Sequence, residues 1–147
     1  MARTFSKAAG LASLRLGAVI AGADSLDLVR RAMPPYPINL AALISAVAAV
    51  GDRKTLSGYI RSIVKRRRWF AHELNKMGVF TYPSAGNFLL ANFGRGGPAL
   101  FAKLEKKGIL LRERTKAIGP GFVRIGIGTR DEMETLLREI CRLGENG

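Results

Sequence analysis

The sequence has very few of the residues that form disulfides or bind metals. Its 147 residues include one cysteine, Cys141, and one histidine, His72. A single thiol excludes an internal disulfide and is typical of a reducing compartment. No cluster of ligands with metal-site spacing is present, so no metal is expected. The helical pattern predicts that Cys141 packs on an apolar side and that His72 lies on a charged surface.

Acidic residues are also scarce. Asp and Glu number 11 against 24 Lys and Arg, which gives a net charge of +13. Such an excess is found in proteins that bind nucleic acids or anionic membranes. Here the charges are spread along the chain, which argues against nucleic acid as the main partner. A chain whose acidic partner segment is missing would have the same balance.

No apolar run is long enough to cross a membrane. The longest covers residues 38–50 and is predicted to be a buried helix, because a membrane span needs about 20 apolar residues. Residues 1–23 combine early positive charges, an apolar run and a small-residue site, much like a secretory signal. Arg15 interrupts that run, which argues against export, and we expect a cytoplasmic protein.

The residues best suited to chemistry lie at the start of the chain, within residues 3–17. Lys7 stands among hydroxyls and glycines, and Arg15 follows eight residues later. An unprotonated lysine amine attacks carbonyl groups, including those of cofactors. The hydroxyls of Thr4 and Ser6 can donate to a phosphate, and a guanidinium matches two phosphate oxygens. An isolated lysine would be a solvated charge, but this combination favours a cofactor site.

This stretch resembles the lysine segment of the fold-type I pyridoxal-phosphate aminotransferases, in the form found in histidinol-phosphate aminotransferases. Their segment reads approximately Arg-Thr-Phe-Ser-Lys-Ala-Phe-Gly-Leu-Ala-Gly-Leu-Arg, followed by a hydrophobic residue and glycine. Ala9 and Ser13 depart from it. The resemblance implies that Lys7 carries pyridoxal 5'-phosphate and acts as general acid and base. The implied phosphate ligands are Thr4, Ser6 and Arg15.

The resemblance extends along nearly the whole chain. Residues 87–90, 108–112 and 122–129 follow the order and approximate spacing of the small domain of these enzymes. It implies that Arg124 binds a substrate carboxylate or phosphate and that Arg112 helps to hold the phosphate. An arginine fixed on a strand suits this role, because its guanidinium donates two parallel hydrogen bonds.

Two further residues are candidates for substrate binding. Asn87 precedes a predicted strand, and its side chain could instead bond the backbone of its own turn. Tyr36 lies in a Pro-Tyr-Pro turn that resembles a turn close to the active site and the dimer contact of the family.

The pattern of apolar residues predicts mixed helix and strand. In the first third we expect a strand at residues 16–21 buried on both faces and a helix over 24–32 begun by Asp24 or Ser25, with Leu26, Val29 and Met33 facing inward. Asn39 is expected to cap the next helix, which ends near Gly51.

The remainder reads as a small α+β domain with an antiparallel sheet. A long amphipathic helix is predicted over 55–77, with the basic run 65–68 on its solvated face. Strands are predicted at 79–82, 87–93, 109–112 and 122–129, with a helix over 99–107. Thr129 and Glu132 form a capping box for the final helix.

The resemblance therefore implies an α/β fold. Residues 1–52 would be the end of the large, pyridoxal-phosphate-binding domain of a fold-type I transferase, and residues 53–147 the small C-terminal α+β domain. The family members are more than twice this length. We therefore expect the C-terminal portion of an enzyme, truncated or paired with a separately encoded N-terminal half, and inactive alone.

The implied function is transamination in histidine biosynthesis. Glutamate and imidazole-acetol phosphate would give histidinol phosphate and 2-oxoglutarate, in an enzyme that is a homodimer when complete. A related aromatic aminotransferase and a threonine-phosphate decarboxylase share the lysine segment and remain alternatives. A basic nucleic-acid-binding protein or a structural remnant of the enzyme is the alternative outside the enzyme class.

Overall fold

The computed structural model describes residues 1–144, which fall into two units. The first unit is Met1–Arg61 and the second begins at Ser62. The first contains a two-stranded sheet, and the second contains a four-stranded sheet. No helix among residues 1–144 is long and apolar enough to cross a membrane.

The first unit opens with an antiparallel hairpin of β1 (Ala2–Thr4) and β2 (Gly17–Val19). Its long connection contains a short 3₁₀ helix, Ala12–Leu14. The predicted strand at 16–21 was wrong in length and in burial, since all three residues of β2 are exposed. The reason is that β1 is the sole strand paired with β2 in the described chain.

Helix α1 (Ala23–Arg31) begins after Gly22. Neither Asp24 nor Ser25 caps it, contrary to the prediction, because the helix starts one residue earlier than Asp24. Val29 and Met33, expected to face inward, are exposed. Leu28 is exposed as well, so the apolar pattern alone did not determine the burial of this helix.

Helix α2 (Leu40–Gly51) begins as predicted. The Asn39 side chain accepts a hydrogen bond from the Ala42 N–H at 2.8 Å, which satisfies one free donor of the first turn. The predicted burial of this helix was wrong, because among its residues only Ala42 and Ala46 are buried. Its large apolar side chains remain exposed to water: Leu40, Leu43, Ile44, Val47 and Val50.

Helix α3 (Arg53–Lys76) confirms the long amphipathic helix. The Asp52 carboxylate accepts from the Thr55 N–H at 3.0 Å at its start, and this bond lowers the pKa of Asp52. Its buried residues are Ile63, Phe70 and Leu74.

The basic run 65–68 on α3 was predicted to lie on a solvated face, but only part of it is exposed. Lys65 and Arg68 are exposed. Arg66 and Arg67 are half-buried; the first donates to the Ser62 hydroxyl and the second to the carbonyl of Gly86. Two of the four basic residues therefore have structural partners.

The sheet of the second unit has the strand order β3 (Phe80–Tyr82), β4 (Phe88–Asn92), β6 (Phe122–Gly126), β5 (Arg112–Glu113). All neighbours are antiparallel, which confirms the predicted sheet. Strand β5 begins only at Arg112. The Ile109 N–H instead donates to the Leu104 carbonyl at 3.0 Å and closes helix α4 (Gly97–Glu105).

Alternation along the strands divides the sheet into two faces. On β4 and β6 the buried positions are Leu89, Ala91, Val123 and Ile125, and they join one core with residues of α3, α4 and α5 (Arg130–Gly144). The positions between them are half-buried and form the other face. The second unit therefore covers one face of its sheet with helices.

The structure also shows the surroundings of Cys141 and of the possible metal ligands. Cys141 was expected to be packed, but it is exposed, and its sulfur lies 3.8 Å from that of Met77. Its place on α5 is one residue beyond the buried Ile140, so its side chain faces outward. Residues 1–144 contain no group of three His, Cys, Asp or Glu side chains that could hold a metal.

The predicted capping box begins helix α5. The Thr129 N–H donates to Glu132 at 2.6 Å, and the Glu132 N–H donates to the Thr129 hydroxyl at 3.3 Å. The N–H of Thr129, then its hydroxyl, and the nearby charge of Arg66 lower the pKa of Glu132. The ionised carboxylate is thus the form that the folded helix end favours.

This cap predicts an acid-sensitive contribution to stability. Because the pKa of Glu132 is lowered in the folded state, its contribution is present above the ordinary value of 4.5 and is lost as the pH falls through the lowered value. Glu132→Gln should therefore flatten the dependence of the unfolding temperature on pH below 4.5. Asp131→Asn is the control, since Asp131 makes no hydrogen bond within residues 1–144. Equal slopes for wild type and Glu132→Gln would contradict this role.

Candidate active site

Lys7 lies in the long connection of the β1–β2 hairpin, and its side chain is exposed. The backbone turns directly after it, since the Gly10 N–H donates to the Lys7 carbonyl at 3.1 Å. On the other side, the Thr4 hydroxyl oxygen accepts from the Ser6 N–H at 3.1 Å. That bond uses the oxygen of Thr4 and leaves its O–H proton free to donate to a ligand.

Arg15 closes the same connection at its other end. Its φ of 54° makes it the one non-glycine residue in the left-handed region among residues 1–144. Such a backbone costs about 1–2 kcal/mol relative to a right-handed one. Its Nη1 donates to the Ala12 carbonyl at 3.0 Å. Strain of this kind is concentrated at functional sites, so it marks Arg15 as a functional candidate.

Strand pairing brings the two ends of the connection together. Thr4 lies opposite Gly17, and the Phe5 N–H donates to the Leu16 carbonyl at 3.2 Å. A Cβ at Gly17 would lie 3.0 Å from the Arg3 carbonyl oxygen, so the close approach of the strands favours glycine there. Thr4 is thus the last residue of β1, Ser6 and Lys7 follow that strand, and Arg15 precedes β2.

The hairpin carries positive charge alone. Its cations are Arg3, Lys7 and Arg15, and the sequence has no Asp or Glu before Asp24. Two hydroxyls, an amine and a guanidinium form a donor set for a phosphate-bearing anion. An aldehyde on that anion could in addition react with the amine. The residues present therefore fit a phosphorylated carbonyl cofactor.

A cavity of about 520 Å³ lies beside this loop within the first unit. Ala8, Ala9 and Gly10 line it from the loop, and the remaining lining residues come from α2, from Asp52 and from the start of α3. Ala9 is one of the two positions that differ from the aminotransferase segment. Its small side chain lines this cavity, and a larger residue there would fill part of it.

The second unit places two arginines directly opposite each other. Arg112 on β5 pairs with Arg124 on β6. No ion pair within residues 1–144 involves either of them. Like charges in opposing positions destabilise a sheet. An anion bound to both guanidinium groups would remove that repulsion.

Two other predicted substrate ligands have less support. The Asn87 carbonyl accepts from the Ile127 N–H at 2.9 Å, and its side chain makes no hydrogen bond within residues 1–144. Tyr36 is 93% exposed and contacts no other ring of the described chain. The structure thus brings Arg112 and Arg124 together, but the side chains of Asn87 and Tyr36 have no hydrogen-bond partner within residues 1–144.

The sequence analysis missed two residues near Arg124, namely Phe88 and Arg67. The guanidinium of Arg124 lies 4.1 Å from the ring centre of Phe88. Arg67, interpreted as part of a solvated helix face, donates to Gly86 two residues before that ring. The alternation of β4 places Phe88 on the same face as Arg124, and this was the available signal.

Solved structures of aminotransferases share the fold of this chain. This confirms the predicted fold class. The family profile described as aminotransferase class I and II matches residues 1–140. The chain belongs to this family.

Histidinol-phosphate aminotransferases are among its similar relatives. That of Anaeromyxobacter sp. is 37% identical over 142 residues, which are 96% of this chain and 39% of the relative. The crystal structure of the Sinorhizobium meliloti enzyme in complex with pyridoxal-5'-phosphate has a TM-score of 0.85 and 25% identity over 97% of this chain and 40% of that one.

A third similar protein is a decarboxylase. The L-threonine-O-3-phosphate decarboxylase of Porphyromonas gingivalis has a TM-score of 0.84 and 25% identity, covering 99% of this chain and 46% of that one. The chain thus spans about two fifths of the length of the relatives that it matches.

Proposed function

We propose that the chain is the C-terminal part of a pyridoxal-phosphate-dependent histidinol-phosphate aminotransferase. The complete enzyme would convert glutamate and imidazole-acetol phosphate to histidinol phosphate and 2-oxoglutarate in cytoplasmic histidine biosynthesis. Residues 1–52 would complete the cofactor domain and residues 53–147 would form the small domain. The observation that best supports this proposal is the β1–β2 hairpin, which contains no Asp or Glu and has Lys7 and Arg15 at the two ends of its connection.

The residues of the hairpin have separate roles in this proposal. Thr4, Ser6 and Arg15 bind the cofactor phosphate through two hydroxyls and a guanidinium. Lys7 Nζ would hold the carbonyl end of the cofactor, and during turnover it would move the proton from the substrate α-carbon. Bound pyridoxal phosphate supplies the electron sink that stabilises negative charge at that carbon.

The arginine pair accounts for the substrate preference. Glutamate carries carboxylates and imidazole-acetol phosphate carries a phosphate, so each offers an anion to Arg124 and Arg112. A guanidinium pair without acidic partners favours a dianion, because a phosphate can accept from both groups. This supports phosphate-bearing substrates over the aromatic amino acids, which bring only one carboxylate.

Threonine phosphate also has this chemistry, so phosphothreonine decarboxylation is the second candidate. The similar structure from Porphyromonas gingivalis favours it. Both candidates require Lys7 and the arginine pair, and they differ in whether the amino group or carbon dioxide leaves the substrate. Measuring amino transfer and carbon dioxide release separately distinguishes them.

The rest of the enzyme is part of the proposal as well. The exposed apolar residues of α2 and the unpaired edges of the β1–β2 hairpin support a surface that other polypeptide covers. We propose that this is the preceding part of the enzyme, on the same chain or separately encoded, within a homodimer. The chain alone would then show no turnover.

A chimera tests the proposed function. Residues 1–147 replace the matching C-terminal segment of the Anaeromyxobacter relative, and the protein is assayed with glutamate and imidazole-acetol phosphate. We expect amino transfer that Lys7→Ala lowers by about a thousandfold or more, because the proton-moving amine is removed. The cofactor absorbance of the chimera reports whether its site has assembled. An assembled chimera that releases carbon dioxide from threonine phosphate, and does not transfer amino groups, would contradict the proposal.

A further inference from the structure

We propose that Phe88 and Gly86 are positioning residues for the anion-binding guanidinium of Arg124, with Arg67 anchoring them. This rests on the role of Arg124 in the proposed function and adds to it the question of what holds that arginine in place. Phe88 is distant from Arg124 in sequence, and the register between β4 and β6 brings the two together.

The register of β4 and β6 brings the ring and the guanidinium together. Phe88 lies opposite Gly126, and Leu90 lies opposite Arg124, so Phe88 and Arg124 are diagonal neighbours on one face. Because Gly126 has no side chain, the space opposite Phe88 is left open. The guanidinium carbon of Arg124 lies 4.1 Å from the centre of the ring. That distance is well within the range of a cation–π interaction.

Stacking orients this arginine without neutralising it. A carboxylate partner would also fix the guanidinium, but it would occupy its donors and cancel its charge. An aromatic face attracts the cation through its quadrupole and leaves the N–H groups at the edge available. Within residues 1–144 Arg124 has no acidic partner. The ring therefore suits an arginine that must bind a substrate anion.

Gly86 sets the position of the ring. A Cβ at this residue would lie 2.8 Å from Cε1 of Phe88, closer than such contacts allow. Its backbone is held at both polar groups: the N–H donates to the Ser84 hydroxyl at 3.1 Å and the carbonyl accepts from Arg67. Arg67 thus connects helix α3 to the turn on which the ring rests.

A phosphate titration of the full 147-residue chain tests the inference. The probe is inorganic phosphate at constant ionic strength, and the readout is the NMR resonance of Arg124 Nε–H. Phe88→Leu should shift that resonance, because the ring current is lost, and should weaken phosphate binding by roughly threefold to tenfold. Phe88→Tyr keeps the ring and should restore both. Phe80→Leu is the matched control, since Phe80 lies on the far edge strand and contacts Tyr82.

Gly86→Ala supplies a second test that leaves the ring in the protein. The new Cβ should push Phe88 from beneath the guanidinium and weaken phosphate binding as Phe88→Leu does, with the unfolding transition of the second unit retained. Arg124→Leu separates the two proposals. If it leaves phosphate binding unchanged, the substrate role of Arg124 fails, and this inference fails with it. If Arg124→Leu abolishes binding while Phe88→Leu and Gly86→Ala do not change it, only the positioning role is overturned.

Discussion

Lys7 should react with pyridoxal phosphate about tenfold more readily than any other lysine of the chain. The reason is that the hydroxyls and the guanidinium of the hairpin bind the phosphate next to the amine, and one charge-assisted hydrogen bond contributes about 1.5–3 kcal/mol. Arg15→Ala should remove most of this preference. The measurement is borohydride reduction of the mixture, followed by peptide mapping of the modified lysines by mass spectrometry.

The control for this experiment lies in the same chain. Lys116 is exposed and lies outside the hairpin, so its modification reports the ordinary reactivity of a surface lysine. Arg15→Gly distinguishes binding from folding. It should lose the preference for Lys7 as Arg15→Ala does, yet be about 1 kcal/mol more stable than Arg15→Ala, because glycine adopts the left-handed backbone freely. Uniform modification of Lys7 and Lys116 in the wild-type chain would contradict the cofactor site.

Gly121→Ala should destabilise the second unit by about 3 kcal/mol or more, combining backbone strain with overpacking. Gly121 has a φ of 82°, in the left-handed region. A Cβ there would lie 2.1 Å from the carbonyl oxygen of Gly94, an overlap that only backbone movement can relieve. The Gly121 carbonyl also accepts from the Phe93 N–H at 2.9 Å, so movement disturbs the end of β4.

Urea unfolding followed by tryptophan fluorescence measures this effect. Trp69 is the only tryptophan of the sequence and belongs to the second unit, where Arg130 lies 3.3 Å over its ring. Gly96→Ala is the control in the facing loop, because a Cβ at Gly96 meets no atom within 4 Å. It should change stability by less than about 0.5 kcal/mol. Equal midpoints for the two variants would show that the loops separate more easily than their close contact indicates.

The parts of the fold that sequence predicted well are those set by local chemistry. The Asn39 cap, the amphipathic face of α3 and the capping box at Thr129 each depend on residues a few positions apart. The burial of residues 16–21 and 38–50 was predicted wrongly. Burial depends on what packs against a segment, and within the described chain only Leu16, Ala42 and Ala46 of these two segments are buried.

In the candidate site, too, only the residues that belong to a local sequence motif could be predicted. Lys7 and Arg15 could be found because their motif lies within one short stretch of sequence. The stacking of Phe88 on Arg124 could not be found in this way, since it depends on the register between two strands. The hydrogen bond of Arg67 could not be predicted either, because its partner is a backbone carbonyl that no residue pattern indicates.

The exposed apolar side of α2 should affect the abundance of the chain in a cell. Leu40 is 70% exposed and Val47 is 67% exposed, on a helix whose other large apolar residues are also in water. Chaperones and proteases recognise exposed apolar surface of this kind, and such surface promotes aggregation of newly synthesised chains. The abundance of this polypeptide should therefore follow the supply of whatever shields that helix.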